Sequence, residues 1–322
     1  MGEKQFIFRE YEDSDLNGVL DLWEHSSGWG RPSENEFKKW LSTPFGEVII
    51  YLALDNSERI IAQIFYTPTY IYLKGKEKLA AKVSAPIIQN DYRSSVYPES
   101  LSLMVELFLN GAKYAKKKGF EWLYVFPAYG WVKPLKSLHR IDLFPWELQI
   151  FSCLKILDKE VDLGNYYLNE VNEFSEDFNS VWKGFKSNYP NLSYVNRSIE
   201  WLKYKWGDEL KIGIYDIKKN LAGYFIIKKS SGLILDFLMT DFSEAPTLLI
   251  KLKKFHLKWM IENSSYSGQD LKIIANDFLT PILEKVKTEK ISYNFAFGIS
   301  STTSTEAIES IKGQSWFIFP ND

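Results

Sequence analysis

One cysteine and three histidines are all that this chain of 322 residues offers to thiol and metal chemistry. Cys153 has no partner for an intramolecular disulfide, so a disulfide framework is excluded and a reducing, cytoplasmic setting is expected. It lies in the apolar run FSCLKIL, where a cysteine reads as a small buried hydrophobe. His25, His139 and His256 are scattered without metal-type spacing, so no metal is expected. No apolar run reaches the roughly 18 residues that a membrane span needs, and the N-terminus reads as free of a secretory signal. The formal charge of −2 leaves no electrostatic footprint for nucleic acid or anionic lipid. The chain also lacks a G-x-S-x-G elbow, a P-loop and a dinucleotide fingerprint.

What the chain has in quantity is aromatic residues: 11 Trp, 19 Tyr and 22 Phe. Together with an apolar share of 45%, they predict well-filled cores and several buried strands. The most informative stretch runs from Lys82 to Pro127. An apolar strand, Val83 to Ile88, contains Pro86 and is followed by a polar loop, Gln89 to Ser95. Leu101, Met104, Val105, Phe108, Ala112 and Ala115 then form the stripe of a core-facing helix. Lys116, Lys117 and Lys118 suit the negative end of its dipole, and Gly119 suits a left-handed C-cap. A second apolar strand, Phe120 to Phe126, is apolar on both faces and reads as central. Strand, loop, helix, strand is a crossover unit, whose ligand usually sits between the first strand's carboxyl end and the helix N-terminus. Pro86 cannot donate to a ladder, so it marks either a place where the strand leaves its neighbour or an edge or bulge.

Around this unit, Gln5 to Trp23 reads as a strand and a helix, and Glu36 to Leu41 as a second helix. Between them HSSGWGRPS, residues 25–33, is a glycine-rich connector or an acceptor-side loop. Val48–Leu54 and Arg59–Tyr66 form a hairpin, and Thr69–Leu73 a further strand. The later half appears in the same order: a hairpin at Lys211–Ile217 and Leu221–Ile227, a strand at Leu233–Leu238, a helix over 246–261 and a strand at Leu271–Ala275. Asn196 is placed to cap a helix bearing Ile199, Leu202 and Trp206, and His256 is expected at a helix surface or rim. Asp236 and Asp241 put two carboxylates near a strand end, Asp241 as a turn residue. A repeat of roughly 160 residues is a duplicated domain, not a solenoid.

The run IIQNDYR, its loop and the helix after it resemble the cofactor motif of the GNAT N-acetyltransferases, R/Q-x-x-G-x-G/A after a splayed strand. The resemblance implies an α+β fold of two tandem GNAT-like domains, 1–155 and 160–322, each a mixed, mostly antiparallel sheet flanked by helices. It implies acetyl-CoA as co-substrate, with its pantetheine along Ile87, Ile88 and Gln89, and its pyrophosphate on the loop of Arg93, Ser94, Ser95 and Val96. Tyr129 is the candidate acid for the departing thiolate. Both glycine positions of the motif hold other residues, Val96 and Pro98. Valine resists the close approach and positive φ that glycine allows, and proline has no amide to offer. The second half has no such loop after Leu238, so it is expected to shape the acceptor side. The implied activity is acetyl transfer to a small amine, with an amino sugar among the acceptors. Two alternatives stay open: a Fem-type aminoacyl-tRNA-dependent transferase, and a non-catalytic binding module on the same fold.

Overall fold

The computed structural model describes residues 6–93, 98–127, 142–143, 148–153, 165–263, 271–275, 278–286, 288–295, 297–302 and 315–319. In chain order the first half gives β1 (Ile7–Glu10), α1 (Leu16–Ser26), α2 (Glu34–Trp40), β2 (Ile49–Leu54), β3 (Ile60–Leu73), β4 (Lys76–Ile88), α3 (Pro98–Lys117), β5 (Trp122–Val125), β6 (Asp142–Leu143) and β7 (Leu148–Ser152). The second half gives β8 (Tyr166–Val171), α4 (Asp177–Asn188), β9 (Ser193–Val195), α5 (Ile199–Trp206), β10 (Leu210–Asp216), β11 (Leu221–Ile227), β12 (Leu233–Met239), α6 (Ala245–Glu262), β13 (Lys272–Ala275), α7 (Thr280–Lys285), β14 (Glu289–Phe295), β15 (Gly298–Ser301) and β16 (Trp316–Phe317). Among the described residues no helix is long and apolar enough to cross a membrane.

The chain forms two compact units, neither continuous in sequence. The first takes residues 1–71, 77–145 and 296–312; the second takes 72–76, 146–295 and 313–322. The first sheet runs β1-β2-β3-β4-β5-β15-β6, and the second runs β8-β10-β11-β12-β13-β7-β14. Each contains a parallel crossover, β4-α3-β5 in the first and β12-α6-β13 in the second. Each is then extended, antiparallel, by a strand from the other half of the chain. β15 pairs β5 from Gly298↔Val125 to Ser301↔Trp122, and β7 pairs β13 from Ser152↔Lys272 to Gln149↔Ala275. The strand β7 lies N-terminal to the junction expected near residues 155–160, yet its ladder is in the second unit.

In the first unit, Thr69–Leu73 continues Arg59–Tyr66 as one 14-residue strand through Pro68, where the sequence suggests two. On one face α1 and α2 cover Ile50, Leu52, Leu54, Phe65 and Ile87. On the other, Leu103, Met104, Leu107, Phe108 and Ala115 of α3 are buried against Ile49, Ile64, Tyr66, Val83 and Leu123. Of the expected stripe, Met104, Phe108 and Ala115 are buried and Val105 and Ala112 partly so, the side chain of Leu101 lies outside the described residues, and Leu103 and Leu107 widen the buried face. The buried Tyr66 hydroxyl donates to the Phe108 carbonyl at 3.0 Å, and burial pushes its pKa well above the usual tyrosine value. Gly111 lies directly over the same ring: a Cβ there would stand 2.4 Å from the Tyr66 oxygen. This contact fixes how closely α3 approaches the sheet. Gly119 ends the helix segment with φ +93, the left-handed cap that its sequence predicts. At the start of α1, Asp15 accepts from Arg9 of β1 at 2.6 and 2.7 Å and from the Glu12 amide at 2.8 Å. The Arg9 hydrogen bond is the main reason that the Asp15 pKa is lowered.

The second unit packs α4 and α6 on its sheet. His256 is buried, contrary to the surface position expected from its lysine neighbours. It continues the buried stripe Ala245, Leu248, Leu249, Leu252 and Trp259, and its ring lies parallel to Trp259 with centroids 6.3 Å apart. Asn196 does not cap α5 directly. Its Oδ1 accepts from the Ser198 amide at 2.7 Å, while the Ile199 amide donates to Asn179 Oδ1 at 3.0 Å. Cys153 is buried, as its apolar context predicts.

Gly111→Ala should lower stability by about 1–3 kcal/mol, as overpacking does, read as a lower urea midpoint at unchanged slope. Asp15, whose folded pKa is depressed, contributes stability in full above the usual aspartate range and loses it as pH falls through the lowered value. Asp15→Asn should therefore flatten the acid limb of the stability-against-pH curve.

Candidate functional site

The parallel ladder between β4 and β5 runs from Ala80↔Trp122 to Val83↔Val125 and stops there. β5 ends at Val125, whereas β4 continues to Ile88. The two strands thus form a fork. On its other side β4 stays in contact with β3, since the Gln89 amide donates to the Ile61 carbonyl at 2.8 Å. Just past the last paired residue, Ala85 has φ +46. A non-glycine residue in the left-handed region costs on the order of 1–2 kcal/mol. Pro86 follows it and brings no amide to either side. Strain and a missing donor therefore coincide where β4 leaves β5. At the base of the fork, a crevice lined by Val83, Phe108, Leu123, Tyr124, Val125 and Ile299 is too narrow for a water molecule.

Ile87 and Ile88 are buried on opposite faces, Ile87 under α1 and α2, Ile88 under α3. Their side chains serve the two cores, and only backbone is left toward the missing neighbour. Asn90 and Arg93 gather at the C-terminus of α1. Asn90 Nδ2 donates to the His25 carbonyl at 2.7 Å, and the Arg93 guanidinium donates to the Ser26 carbonyl. These contacts satisfy two of the carbonyls that a helix leaves open at its end, and a cation there complements the dipole. Burial lowers the Arg93 pKa from its usual value, and the guanidinium stays charged at any physiological pH. Ser94, Ser95, Val96 and Tyr129 lie outside the described residues.

Sequence reading passed over Ala85 and Gln63, took Trp23 only as part of a helix face, and had Ser26 only within the loop at 25–33. Nothing in an alanine announces a positive φ. Gln63 carries a signal, a lone carboxamide in the apolar strand RIIAQIFY.

The second unit shows the same fork in a different state. β12 pairs β13 only at Leu233↔Lys272 and Ile234↔Ile273, then continues to Met239. The segments following the two strands meet through Phe242 and Phe278, ring centroids 5.2 Å apart, and both rings pack on Phe317. On β12, Asp236 is buried and accepts from Arg197 Nε at 2.9 and 3.1 Å, from the Tyr224 hydroxyl at 3.2 Å and from the Phe237 amide at 2.9 Å. Arg197 also donates to the Val195 carbonyl at 2.8 Å and lies over the rings of Phe317 and Phe319. Asp241, the second carboxylate of this region, closes an Asx turn by accepting from the Ser243 amide at 2.9 Å.

No protein-family model and no curated protein sequence matches the chain. Solved structures do match. A GCN5-related N-acetyltransferase from Anabaena variabilis superposes with a TM-score of 0.64 at 12% identity, covering 95% of this chain and 75% of its own. A tandem GNAT protein from the clavulanic acid biosynthesis pathway gives 0.58 at 10% identity, covering 94% of this chain and 100% of its own. The chain has the tandem GNAT fold. A third GNAT-fold match is the glucosamine N-acetyltransferase region of a fungal multi-domain β-N-acetylglucosaminidase, with a TM-score of 0.59 at 11% identity, covering 92% of this chain and 38% of that one.

Removing one partner of a buried ion pair strands the other, at a cost of about 3–5 kcal/mol. Asp236→Ala should lose about that much in chemical denaturation. The double change Asp236→Leu with Arg197→Met should lose less than the single one, because no charge is left stranded.

Proposed function

We propose that this protein is an acyl-CoA-dependent N-acyltransferase, that its donor is acetyl-CoA, and that it acts on a small amine in the cytoplasm. The observation that carries the reading is the fork of the first unit, a strand end that among the described residues has no ladder partner on one side and has its strained residue at the point of departure. Buried backbone groups must find partners, and the alternating donors and acceptors of this strand end suit an extended chain of amides such as pantetheine. The likeness to GNAT structures supports the same chemistry.

In this reading Ile87, Ile88 and Gln89 offer backbone to the pantetheine arm, and the loop of Arg93, Ser94, Ser95 and Val96 faces the pyrophosphate. The neutral amine attacks the thioester carbonyl directly: a C–N bond forms, the C–S bond breaks, the amine loses a proton to water and the departing thiolate gains one. Tyr129 is the proposed donor of that last proton. The protein's main contribution is to hold the two reactants in an attack geometry. The second unit, whose fork is filled by Phe242, Phe278 and Phe317, holds no cofactor. An amino sugar is the acceptor we favour, in keeping with the glucosamine N-acetyltransferase region among the structural matches. One observation favours a binding module without catalysis: Arg93 is already engaged by the Ser26 carbonyl.

A thermal melt separates the readings. Acetyl-CoA at 100 times its Kd should stabilise the protein by about 2.7 kcal/mol and raise Tm. No shift with acetyl-CoA or a longer acyl-CoA at millimolar concentration rejects the transferase.

A further inference from the structure

Gln63 is fully buried, and neither its amide nitrogen nor its carbonyl oxygen has a hydrogen-bond partner. It stands opposite Leu52 in the β2–β3 ladder, on the face where Leu52, Phe65 and Ile87 pack beneath α1 and α2. A leucine would suit those neighbours, and each unmatched buried polar group costs on the order of 1–3 kcal/mol. Three other buried polar atoms near this face are also unmatched: Trp23 Nε1 and Ser26 Oγ from α1, and Gln89 Oε1 just past β4. The elements that carry them are tied together. The Trp23 ring lies 6.2 Å from Phe65, two residues beyond Gln63 on the same face. The Gln89 amide bonds to the Ile61 carbonyl, two residues before Gln63, and Arg93 bonds to Ser26. Ala85, the strained residue of the fork, packs in the same cluster.

The set holds donors, acceptors and a hydroxyl, and no formal charge. Its complement is a group that both donates and accepts, as hydroxyls do. Trp29 is 71% exposed and rests against Trp23, centroids 5.6 Å apart. Trp29 sits between Gly28 (φ +81) and Gly30 (φ +83), and Arg31 ties the loop back to Asp21 and Glu24 of α1. An exposed indole resting on the Trp23 ring, in a segment that adjoins these neutral polar groups, suits a ring with one apolar C–H face and a hydroxylated rim.

We propose that these groups form the acceptor subsite, with Gln63 as its specificity-determining residue, and that the acceptor is a hydroxylated cyclic amine of the amino-sugar class. This rests on the acyltransferase reading above and names its second substrate. The polar atoms are enclosed, so the acceptor reaches them when the segment Ser27–Arg31 lifts about its two glycines. Exposed ion pairs such as those of Arg31 hold it only weakly.

The test uses the full chain, acetyl-CoA, and glucosamine against cyclohexylamine as acceptors. Wild type should acetylate glucosamine in preference and show quenched tryptophan emission on glucosamine titration. Gln63→Leu should keep the acetyl-CoA melt shift, keep or raise Tm, and raise KM for glucosamine tenfold or more with little change for cyclohexylamine. Gln63→Glu, which keeps the shape and an acceptor, should recover part of that loss. Trp29→Ala should raise KM for glucosamine and abolish the quench at unchanged Tm. A melt shift with unaltered glucosamine KM in both Gln63→Leu and Trp29→Ala overturns the subsite while leaving the acyltransferase standing. Glucosamine that is neither acetylated nor able to quench emission overturns it too. The absence of any acyl-CoA shift in wild type removes the reaction itself, and the subsite with it.

Discussion

Two parallel strands that share hydrogen bonds as far as Val83 and Val125 and then part set the terms for the rest of the first unit. Parting exposes backbone groups that a folded protein has to satisfy. Among the described residues the first unit leaves the strand end of β4 with β3 on one side alone, and it places a strained Ala85 and the amide-free Pro86 where the strands part. The second unit meets the same demand internally. Its fork closes over aromatic rings and a buried ion pair, so one architecture supports an open strand end and a filled one. The buried Asp236 shows that the filled fork is no simple apolar plug, since its carboxylate accepts from side chain, hydroxyl and backbone at once.

The fork is useful only if the elements around it are fixed. Tyr66 and Gly111 set the approach of α3 to the sheet through one hydrogen bond and one absent side chain. Asn90 and Arg93 fasten the loop after β4 to the C-terminus of α1. The helix that roofs the unmatched Gln63 and the loop that leaves the fork are therefore joined by directional contacts.

Much of this was legible in the sequence. The crossover, the left-handed Gly119, the proline at the parting strand and the paired hairpins are local signals, and each is where its pattern places it. The sheet neighbours β7 and β15 were not legible, because an apolar run states that it is a strand and not whose edge it joins. His256 was misplaced because its lysine neighbours outweighed the stripe that it continues. Asn196 was misplaced because an Asx turn and a helix cap begin with the same residue type. Of the candidate site, Ile87, Ile88, Gln89 and Arg93 can be followed into the structure. Gln63 was missed because a strand partner is not a sequence neighbour.

The crossed strands carry a consequence for biosynthesis. On the ribosome, β1 to β5 are made long before Gly298–Ser301, the segment that sits against β5 in the finished molecule. Until then β5 presents a bare edge, and such edges recruit other chains. Domain-by-domain maturation during translation, the usual course for larger chains, is therefore denied to the first unit, which waits for residues 298–301 to emerge.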